Sequence, residues 1–499
     1  MKLIRTILII ILGFAAYKAL GDTQEKKFVI VITSFDNREW LIKNLDTVFD
    51  QEYSNYRVIY VDDCSTDGTA ELVEHYIIAS GQMHRCTLIK NTTRKRALAN
   101  LYAALMLCEP DEIVFNYDGD DWFADNKVFS FINNIYQDPN VWITYGQFIN
   151  WPTGELGYCK EVTPDIVEKQ LYRQKWWKPG QLRTFYAWLF HQIKLKDLIF
   201  EGPYFEGQFF PANADLAVYY PMMEMAGPHY KFIPEIIYIR NVQTPINDFK
   251  ANKDVQILGS KILRSKPKYP KLANPEIHYF DNFAASKADV IFFSKDPEHA
   301  QEFISTLNRL ALHVNNIFVI HPTQKSDSYA ALAGLQNVML VPETKYGTFK
   351  DTVVRCLREA AAQHVLFAHD GVVVNRCINF NECIQMLEKT FAYGFYLALS
   401  PEQTISHQTG YDQPVAVCNH LLKDLYAWTF GYTATGDYRT YNNLSMTLYR
   451  KRDVAKDFNS LEFASAQELI QKWSKLPIDL ESVGLCYEKP KVGYISWLR

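Results

Sequence analysis

The chain has 499 residues and a formal net charge of −4, with 48% apolar and 22% charged residues. This length and apolar content are enough for two or three domains with full-sized cores. The near-neutral charge, without a basic stripe interleaved with aromatics, argues against a nucleic-acid-binding surface. Aromatic residues are plentiful (31 Tyr, 31 Phe and 10 Trp) and fit either a large core or rings that stack on sugars or bases.

The first 26 residues resemble a signal peptide or a membrane anchor. Lys2 and Arg5 precede about twelve apolar residues, a run that is short for a full membrane span and fits a signal-peptide core or a short anchor. The sequons at Asn91 and Asn443 would carry glycans in a secretory lumen. The nine cysteines form no CxxC pair and no metal-like spacing, so we predict reduced thiols, typical of the cytosol. We therefore predict a membrane-associated protein with its body in the cytoplasm, the secretory-pathway lumen being the alternative.

From residue 27 the chain alternates apolar strands with amphipathic helices. The predicted strands are KFVIVITSF, YRVIYVDD, CTLIKN and EIVFNY. They are rich in β-branched residues, which is typical of strands buried on both faces. The predicted helices between them are DNREWLIKNLDTVFDQ, GTAELVEHYIIAS and RALANLYAALML. This rhythm predicts a mostly parallel, Rossmann-like α/β sheet, in which ligands bind beyond the carboxyl ends of the strands.

The pattern is less regular after about residue 140. VWITYGQFINW predicts an antiparallel strand, LRTFYAWLFHQI (182–193) an aromatic helix, and YKFIPEIIYIRN a late strand. ANADLAVYYPMMEMAG (212–227) predicts a helix that Asn213 or Asp215 opens and Gly227 closes.

A second copy of the same rhythm follows a linker. The stretch 263–276 is rich in Lys and Pro and predicts that linker. Beyond it, ADVIFFSKD, NNIFVIHPT and HVLFAHDGVVV follow each other at roughly the intervals of FVIVITSFD, YRVIYVDDC and EIVFNYDGDDW. We predict an internal duplication, with one domain at 27–262 and a second at 277–499.

Acidic residues gather at two of the predicted strand ends. Asp62 and Asp63 can accept hydrogen bonds from a nucleobase or a ribose, although Asp, Ser and Gly also serve simply as turn formers and caps. Asp118, Asp120 and Asp121 place like charges together, which raises their pKa values unless a cation compensates. Mg²⁺ or Mn²⁺ would compensate and hold the diphosphate of a nucleotide sugar; the alternative is a solvated Asp-Gly turn. The ligand spacing of an EF-hand is absent.

TSFDNREWLIKNL, VDDCSTDGT, RKRALANLY and YDGDDW resemble, in order and spacing, the motifs of inverting family 2 glycosyltransferases of GT-A fold, over about residues 27–245. The resemblance implies two tandem GT-A-like domains, the second degenerate. The nucleotide and metal contacts that it implies are Thr33 and Phe35 for the base, Asp62 and Asp63 for uracil or ribose, Arg96 for the nucleotide, and Asp118, Asp120 and Asp121 for the metal and ribose. It also implies a catalytic base at Asp215, with Glu224 as the second choice.

These matches lead us to expect a metal-dependent hexosyltransferase that uses Mn²⁺ or Mg²⁺ and a nucleotide sugar, with UDP as the expected nucleotide. The acceptor would be a hydroxyl on a glycan, protein or lipid. The alternatives are a non-catalytic carbohydrate-binding or scaffold protein built on transferase folds, and a bifunctional transferase with two active domains. QxxRW is absent, which argues against a processive synthase.

The sequence also departs from the family pattern. Ala214 stands before Asp215, where the family usually has a Glu-Asp pair, and only His229 and Asp248 are candidates for a third metal ligand. In the second half the motif is reduced to Asp370-Gly371 after His369, and one carboxylate is a poor metal site. We therefore predict that this half binds acceptor or partner, or supports the first. Aromatic side chains that would stack on an acceptor sugar, or belong to the core, are Trp122, Tyr186 and Trp188.

Overall fold

The computed structural model describes residues 24–175, 179–244, 253–277, 279–283, 285–406, 410–431, 434–477 and 479–494. They form two compact units that are not linear segments of the chain. The first unit contains the residues up to Phe190, those from Tyr219 to the gap after Thr244, and Pro267–Pro275. The second contains His191–Val218, residues 253–266, and the residues from Glu276 onward. Each is built on one large sheet flanked by helices, which confirms the predicted α/β class with two tandem Rossmann-like sheets.

The first unit has eight strands. They are β1 (Phe28–Ser34), β2 (Tyr56–Asp62), β3 (Cys86–Lys90), β4 (Ile113–Asp118), β5 (Trp122–Phe123), β6 (Ile143–Trp151), β7 (Arg183–Tyr186) and β8 (Tyr230–Asn241). They lie in the order β3-β2-β1-β4-β7-β6-β8-β5. The first four are parallel, and the register places Ser34 opposite Asp62 and Thr33 opposite Asp118. The carboxyl ends of these strands therefore meet at one edge of the sheet.

Six helices follow these strands within the first unit. They are α1 (Leu41–Phe49), α2 (Thr69–Ala79), α3 (Ala97–Leu105), α4 (Val128–Ile135), α5 (Pro164–Glu168) and α6 (Ala187–Phe190), with a 3₁₀ turn at Gln82–His84. A further helix, α7 (Ala214–Ala226), agrees with the predicted helix at 212–227. Leu41, Leu45 and Val48 of α1 are fully buried, because their spacing places them on the one helix face that packs on the sheet.

The prediction of an aromatic helix at 182–193 is wrong in its first part. Residues Arg183–Tyr186 form β7, and only Ala187–Phe190 are helical. β7 pairs antiparallel with β4 and β6 in the middle of the sheet, and Thr184 and Phe185 are fully buried there. Sheet pairing with residues about 70 positions earlier overrides the local helical pattern.

The second unit has thirteen strands among its described residues. They are β9 (Ala288–Phe293), β10 (Ala311–Leu312), β11 (Val314–His321), β12 (Val338–Pro342), β13 (His364–His369), β14 (Val372–Val374), β15 (Ile378–Asn379), β16 (Gly394–Tyr396), β17 (Asn419–Leu422), β18 (Leu425–Thr429), β19 (Thr447–Arg450), β20 (Val483–Tyr487) and β21 (Val492–Tyr494). Its helices are α8 (Lys253–Ser265), α9 (Pro297–Leu310), α10 (Phe349–Glu359), α11 (Phe380–Thr390), α12 (Lys451–Ser460) and α13 (Ala466–Trp473), with 3₁₀ segments at Leu195–Leu198, Tyr279–Phe283, Thr323–Gly334 and Gly436–Arg439.

The two large sheets share a pairing pattern. In the second unit the order is β12-β11-β9-β13-β19-β16-β20-β18-β17. β9 is parallel to β11 and β13, β13 and β16 are both antiparallel to β19, and β16 is parallel to β20. The first unit repeats these relations in the same chain order. β1 is parallel to β2 and β4, β4 and β6 are both antiparallel to β7, and β6 is parallel to β8. This shared topology is what the predicted internal duplication requires.

Three features bear on the remaining predictions. The first residues of the predicted linker 263–276 are helical, because α8 ends at Ser265. All nine cysteines, each within the described residues, are free. The predicted anchor at 1–26 lies almost entirely outside the described residues, and in the described part no helix is long and apolar enough to cross a membrane.

Candidate functional site

A pocket of about 270 Å³ opens beyond the carboxyl ends of β1, β2 and β4. Seven of the residues predicted from the sequence line it, namely Thr33, Phe35, Asp63, Arg96, Asp118, Asp120 and Asp121. Parallel strands bring together side chains that are far apart in the chain, because the turns that follow them share one edge of the sheet.

The turn that carries the three acids is held tightly. The Asn44 side chain donates to the carbonyl oxygens of Asp118 (2.9 Å) and Asp121 (2.7 Å). A Cβ at Gly119 would lie 2.7 Å from the Cβ of Ser34, so the turn can pass β1 this closely only with glycine at that position.

Asp121 differs from the other two acids because both of its oxygens are occupied. Tyr238 donates its hydroxyl to Oδ2 and Asn241 its N–H to Oδ1, each at 2.6 Å. Asp121 is buried, and burial together with the charges of Asp120 and Asp118 raises its pKa well above the usual range. Asp121 therefore ties the turn to β8.

Asp118 and Asp120 each keep one carboxylate oxygen available. Gln181 donates to Oδ2 of Asp118 (2.7 Å) and Thr244 to Oδ2 of Asp120 (2.6 Å). No other residue in the described ranges donates a hydrogen bond to their Oδ1 atoms. Burial, followed by the charge of Asp118, raises the pKa of Asp120 to about 6. The pocket thus contains two neighbouring carboxylates whose charge is incompletely compensated.

Asp63 organises the loop before α3. It is buried, and its carboxylate accepts the N–H groups of Lys95 (2.7 Å) and Arg96 (2.8 Å) and an amide N–H of Asn91 (3.1 Å). Arg96 adopts the left-handed φ of 72° at the start of α3, a conformation that costs a non-glycine residue energy. The structure therefore fixes the Arg96 backbone at the pocket at the expense of local strain.

Asp62 does not line the pocket. It is buried, and its Oδ2 accepts the Ser65 N–H (3.0 Å). This is the local turn contact that the sequence allowed as the alternative to a nucleotide contact. Its Oδ1 is buried without a hydrogen-bond partner in the described part of the chain.

Cationic side chains reach the pocket from two elements. Arg94 stacks its guanidinium over the Phe35 ring, 3.6 Å from the centroid, and lies 4.0 Å from Asp63. Arg240, near the end of β8, also lines the pocket, and its charge partly offsets the rise in the pKa of Asp120. Arginine pairs well with phosphate oxygens.

Glu224, the second-choice catalytic base, is excluded by its surroundings. It is fully buried, and Arg173 donates to both of its oxygens (2.6 and 2.8 Å). The Tyr269 N–H donates to it as well (3.1 Å). A carboxylate whose two oxygens are both paired in this way, and that is shielded from solvent, has no oxygen free to reach a substrate hydroxyl. Asp215 lies in the first turn of α7.

His229 is not a candidate metal ligand. Its ring stacks on Trp142 with centroids 4.0 Å apart, and its Nδ1 lies 3.0 Å from the Asn140 carbonyl. It precedes β8, whereas Asn241, which contacts Asp121, ends that strand. Asp248 lies outside the described residues. Within the described ranges no group of three or more His, Cys, Asp or Glu side chains is arranged to hold a metal ion.

The aromatic residues proposed for stacking have different surroundings. Trp188 is 1% exposed and packs against Trp142, so it belongs to the core. Trp122 is 3% exposed, and the Lys43 ammonium lies 3.4 Å from its ring centroid. Tyr186 is half-buried, with its ring edge-on to Tyr136.

Sequence reasoning missed several residues of the site. Thr244, Arg94 and Arg240 line the pocket, and Gln181 and Tyr238 orient its acids. Arg94 stands two residues before Arg96 in the quoted RKRALANLY motif and could have been included. The others come from segments at least 60 residues from the acidic turn, and no local signal connects them to it.

Residues 29–199 match the family model described as "Glycosyl transferase family 2", about a third of the chain. "Putative glycosyltransferase EpsE" of Bacillus subtilis (strain 168) is 33% identical over 95 residues, 19% of this chain and 33% of that protein. "Putative colanic acid biosynthesis glycosyl transferase WcaA" of Escherichia coli (strain K12) is 31% identical over 108 residues, 22% of this chain and 37% of that protein. The chain thus spans about a third of the length of the curated relatives that it matches.

Among solved structures, S. aureus TarS 1-349 in complex with UDP-GlcNAc is 16% identical, with a TM-score of 0.34, over 44% of this chain and 60% of that one. Mannosyltransferase PcManGT from Pyrobaculum calidifontis in complex with GDP-Man and Mn2+ is 19% identical, with a TM-score of 0.32, over 47% and 65%.

Proposed function

Starting from the family 2 glycosyltransferase domain at residues 29–199, we propose that this chain is a metal-dependent inverting glycosyltransferase. It would transfer a sugar from a nucleotide sugar, with UDP as the expected nucleotide, to a hydroxyl on a glycan, protein or lipid. The observation that carries the proposal is the pair Asp118 and Asp120, each with one unbonded carboxylate oxygen in a pocket that is also lined by arginines.

The residues present fit a divalent cation. Asp118 and Asp120 supply the hard oxygen ligands that Mn²⁺ and Mg²⁺ prefer, and the raised pKa of Asp120 reflects a charge that a cation would compensate. Asp121, predicted as a third metal ligand, instead holds the turn against β8. When bound, the cation supplies charge stabilisation to the leaving diphosphate.

The chain's own residues would bind the nucleotide around this pair. Thr33 and Phe35 lie at the end of β1, where the base is proposed to bind. Asp63 keeps the loop at 95–96 in position, and Arg94 and Arg96 would contact the phosphates or the ribose. These contacts would orient the anomeric carbon and exclude water from the pocket.

We propose Asp215 as the catalytic base. Its carboxylate would accept the proton of the acceptor hydroxyl while that oxygen forms a bond to the anomeric carbon. The bond from the anomeric carbon to the diphosphate breaks in the same step, and the nucleoside diphosphate leaves with the electron pair. Glu224, the other acid of α7, is already held by Arg173, which supports Asp215 for this role.

The proposal is tested by thermal denaturation with Mn²⁺ and UDP. Ligands that bind only the native state raise the melting temperature by mass action, so Mn²⁺ and UDP together should stabilise the unsubstituted chain. Asp120→Asn should abolish this shift. Asp111→Asn is the matched control, because Asp111 does not line the pocket and its carboxylate makes an exposed ion pair with Lys27. If neither UDP nor another nucleoside diphosphate shifts the transition, the proposed activity is wrong.

The second candidate function is a non-catalytic carbohydrate-binding or scaffold protein. The second unit favours it, because Val372 and Val373 follow Asp370-Gly371 where the first unit has two acids after Asp118-Gly119. The same substitution argues against two active domains. Hydrolysis of UDP-glucose, UDP-galactose or UDP-N-acetylglucosamine without acceptor separates the candidates, because only the transferase should release UDP, and Asp120→Asn should stop the release.

A further inference from the structure

The second unit has two adjoining cavities at the edge of the sheet where β9 and β13 end. Their volumes are about 760 Å³ and about 410 Å³, and His369 and Ile470 line both. We call the joint space the His369 cleft. In the shared topology β9 and β13 correspond to β1 and β4, so the cleft takes the place that the acidic pocket has in the first unit.

The His369 cleft lacks the pair of free carboxylates found in the first unit. Asp370 directly follows β13, close to the place that Asp118 has at the end of β4. Its carboxylate, however, accepts the Ser294 hydroxyl (2.9 Å) and the N–H groups of Lys295 (2.5 Å) and Asp296 (3.2 Å). Val372 and Val373 are buried and pair with β21. A ligand of this cleft must therefore bind without a divalent cation.

His369 offers a hydrogen-bond acceptor to the cleft. Its Nδ1 lies 2.8 Å from the Asp370 carbonyl oxygen. A carbonyl oxygen only accepts, so Nδ1 carries the proton and Nε2 of the neutral ring is an acceptor. Nε2 has no partner among the residues that the structure describes.

The rest of the lining combines apolar surface with unpaired polar groups. Phe293, Ile320 and Leu444 form apolar wall. Polar side chains without a hydrogen-bond partner in the described part of the chain stand around the cleft, namely Lys295, Glu343, Arg439, Gln467 and Gln471. A sugar presents an apolar ring face and several hydroxyl groups, and this lining can satisfy both.

The charge of the lining selects against phosphate. Among the described residues that line the cleft, two cations, Lys295 and Arg439, stand against three carboxylates, Glu343, Asp370 and Asp437. With excess negative charge and no free carboxylate pair to recruit a cation, a diphosphate would be repelled. We propose that the His369 cleft binds a neutral saccharide without a metal ion, with Nε2 of His369 accepting a hydrogen bond from a sugar hydroxyl. This site is additional to the donor pocket.

The test uses the full chain carrying Asp120→Asn, so that its outcome does not depend on the proposed transferase activity. The probes are cellotetraose, maltotetraose and the tetramer of N-acetylglucosamine, titrated by calorimetry and by saturation-transfer NMR in EDTA. At least one should bind. His369→Phe, which keeps a ring of similar size and removes the acceptor, should weaken binding about tenfold, and His369→Gln should restore most of it.

A second variant guards against misfolding. Gln471→Ala changes an exposed side chain on α13 that has no partner in the described residues, so the fold should be unaffected while binding weakens. Melting temperatures report whether each variant is folded. The proposal is overturned if no tetrasaccharide binds, or if His369→Phe and Gln471→Ala both leave binding unchanged. Displacement of the saccharide by UDP would overturn it too, because the cleft would then be a nucleotide site.

Discussion

The Tyr238 hydroxyl lies 2.6 Å from Oδ2 of Asp121. This hydrogen bond spans 117 positions of the chain and separates the acids of the DGDD turn by role. Asp121 is committed to the contact with β8, whereas Asp118 and Asp120 keep oxygens for a ligand.

The first prediction compares Asp121→Asn with Asp120→Asn in metal-free protein. Asp121→Asn replaces one of the two acceptor oxygens by an amide donor, which then faces either the Tyr238 hydroxyl or the Asn241 N–H, and should lower the free energy of unfolding by about 1–3 kcal/mol. Asp120→Asn removes a repelled charge and should leave this free energy unchanged or raise it at pH 8. Urea denaturation measures both. An equal loss in the two variants would contradict the division of roles.

The second prediction concerns pH. The folded pKa of Asp120, about 6, lies above its ordinary value of 3.8, so the native protein binds more protons than the unfolded chain between these values. Its contribution to metal-free stability should therefore fall as pH rises from about 4 to about 6. Mn²⁺ binding in the presence of UDP should strengthen over the same rise, because the cation no longer displaces a proton. Calorimetry of Mn²⁺ binding at pH 5, 6, 7 and 8 measures this pH dependence, and Asp120→Asn should abolish it.

Glu224→Gln provides the third prediction. The change leaves Arg173 buried without its counter-charge, which should cost about 3–5 kcal/mol of unfolding free energy. Chemical denaturation followed by fluorescence reports the loss. Arg173→Met with Glu224→Leu removes both charges and should recover much of it. If Glu224→Gln were fully stable but inactive, Glu224 would have to be reconsidered as the base.

Asp215→Asn should affect chemistry without affecting donor binding. Loss of a general base lowers kcat by about 10² to 10⁴-fold, while the thermal shift with Mn²⁺ and UDP should stay that of the native chain. Glycosyl transfer to an acceptor and UDP binding are measured on the same preparation. A variant with native kcat would remove Asp215 from the mechanism.

The fifth prediction uses the strained backbone of Arg96. Glycine adopts a φ of 72° without strain, so Arg96→Gly should keep the melting temperature within a few degrees of native or raise it. The same change should weaken UDP binding about tenfold if the guanidinium contacts the nucleotide. Arg96→Ala, which keeps the strain and also loses the side chain, is the control and should be less stable than Arg96→Gly.

The sequence alone determined the first four strands, the helices between them and the location of the acidic pocket. β1, β2, β4 and α7 follow from uninterrupted apolar runs or from periodicity. Asp63, Asp118 and Asp120 lie at the ends of β2 and β4 or within two residues after them. Parallel strands must end at a common edge, so strand ends rich in acids predict a shared pocket without any knowledge of packing. The repeated rhythm likewise predicted the second sheet.

Only the tertiary structure decided how each side chain is used. β7 is a strand because β4 and β6 pair with it, although its sequence has a helical pattern. Arg173 holds Glu224 across 51 positions, and Tyr238 and Asn241 hold Asp121 across 117 and 120. Periodicity reports neighbours within a few residues, whereas hydrogen-bond partners and burial depend on which distant segments pack together. For this reason the sequence predicts which residues gather at a site, and the packed chain determines which of them remain free to act.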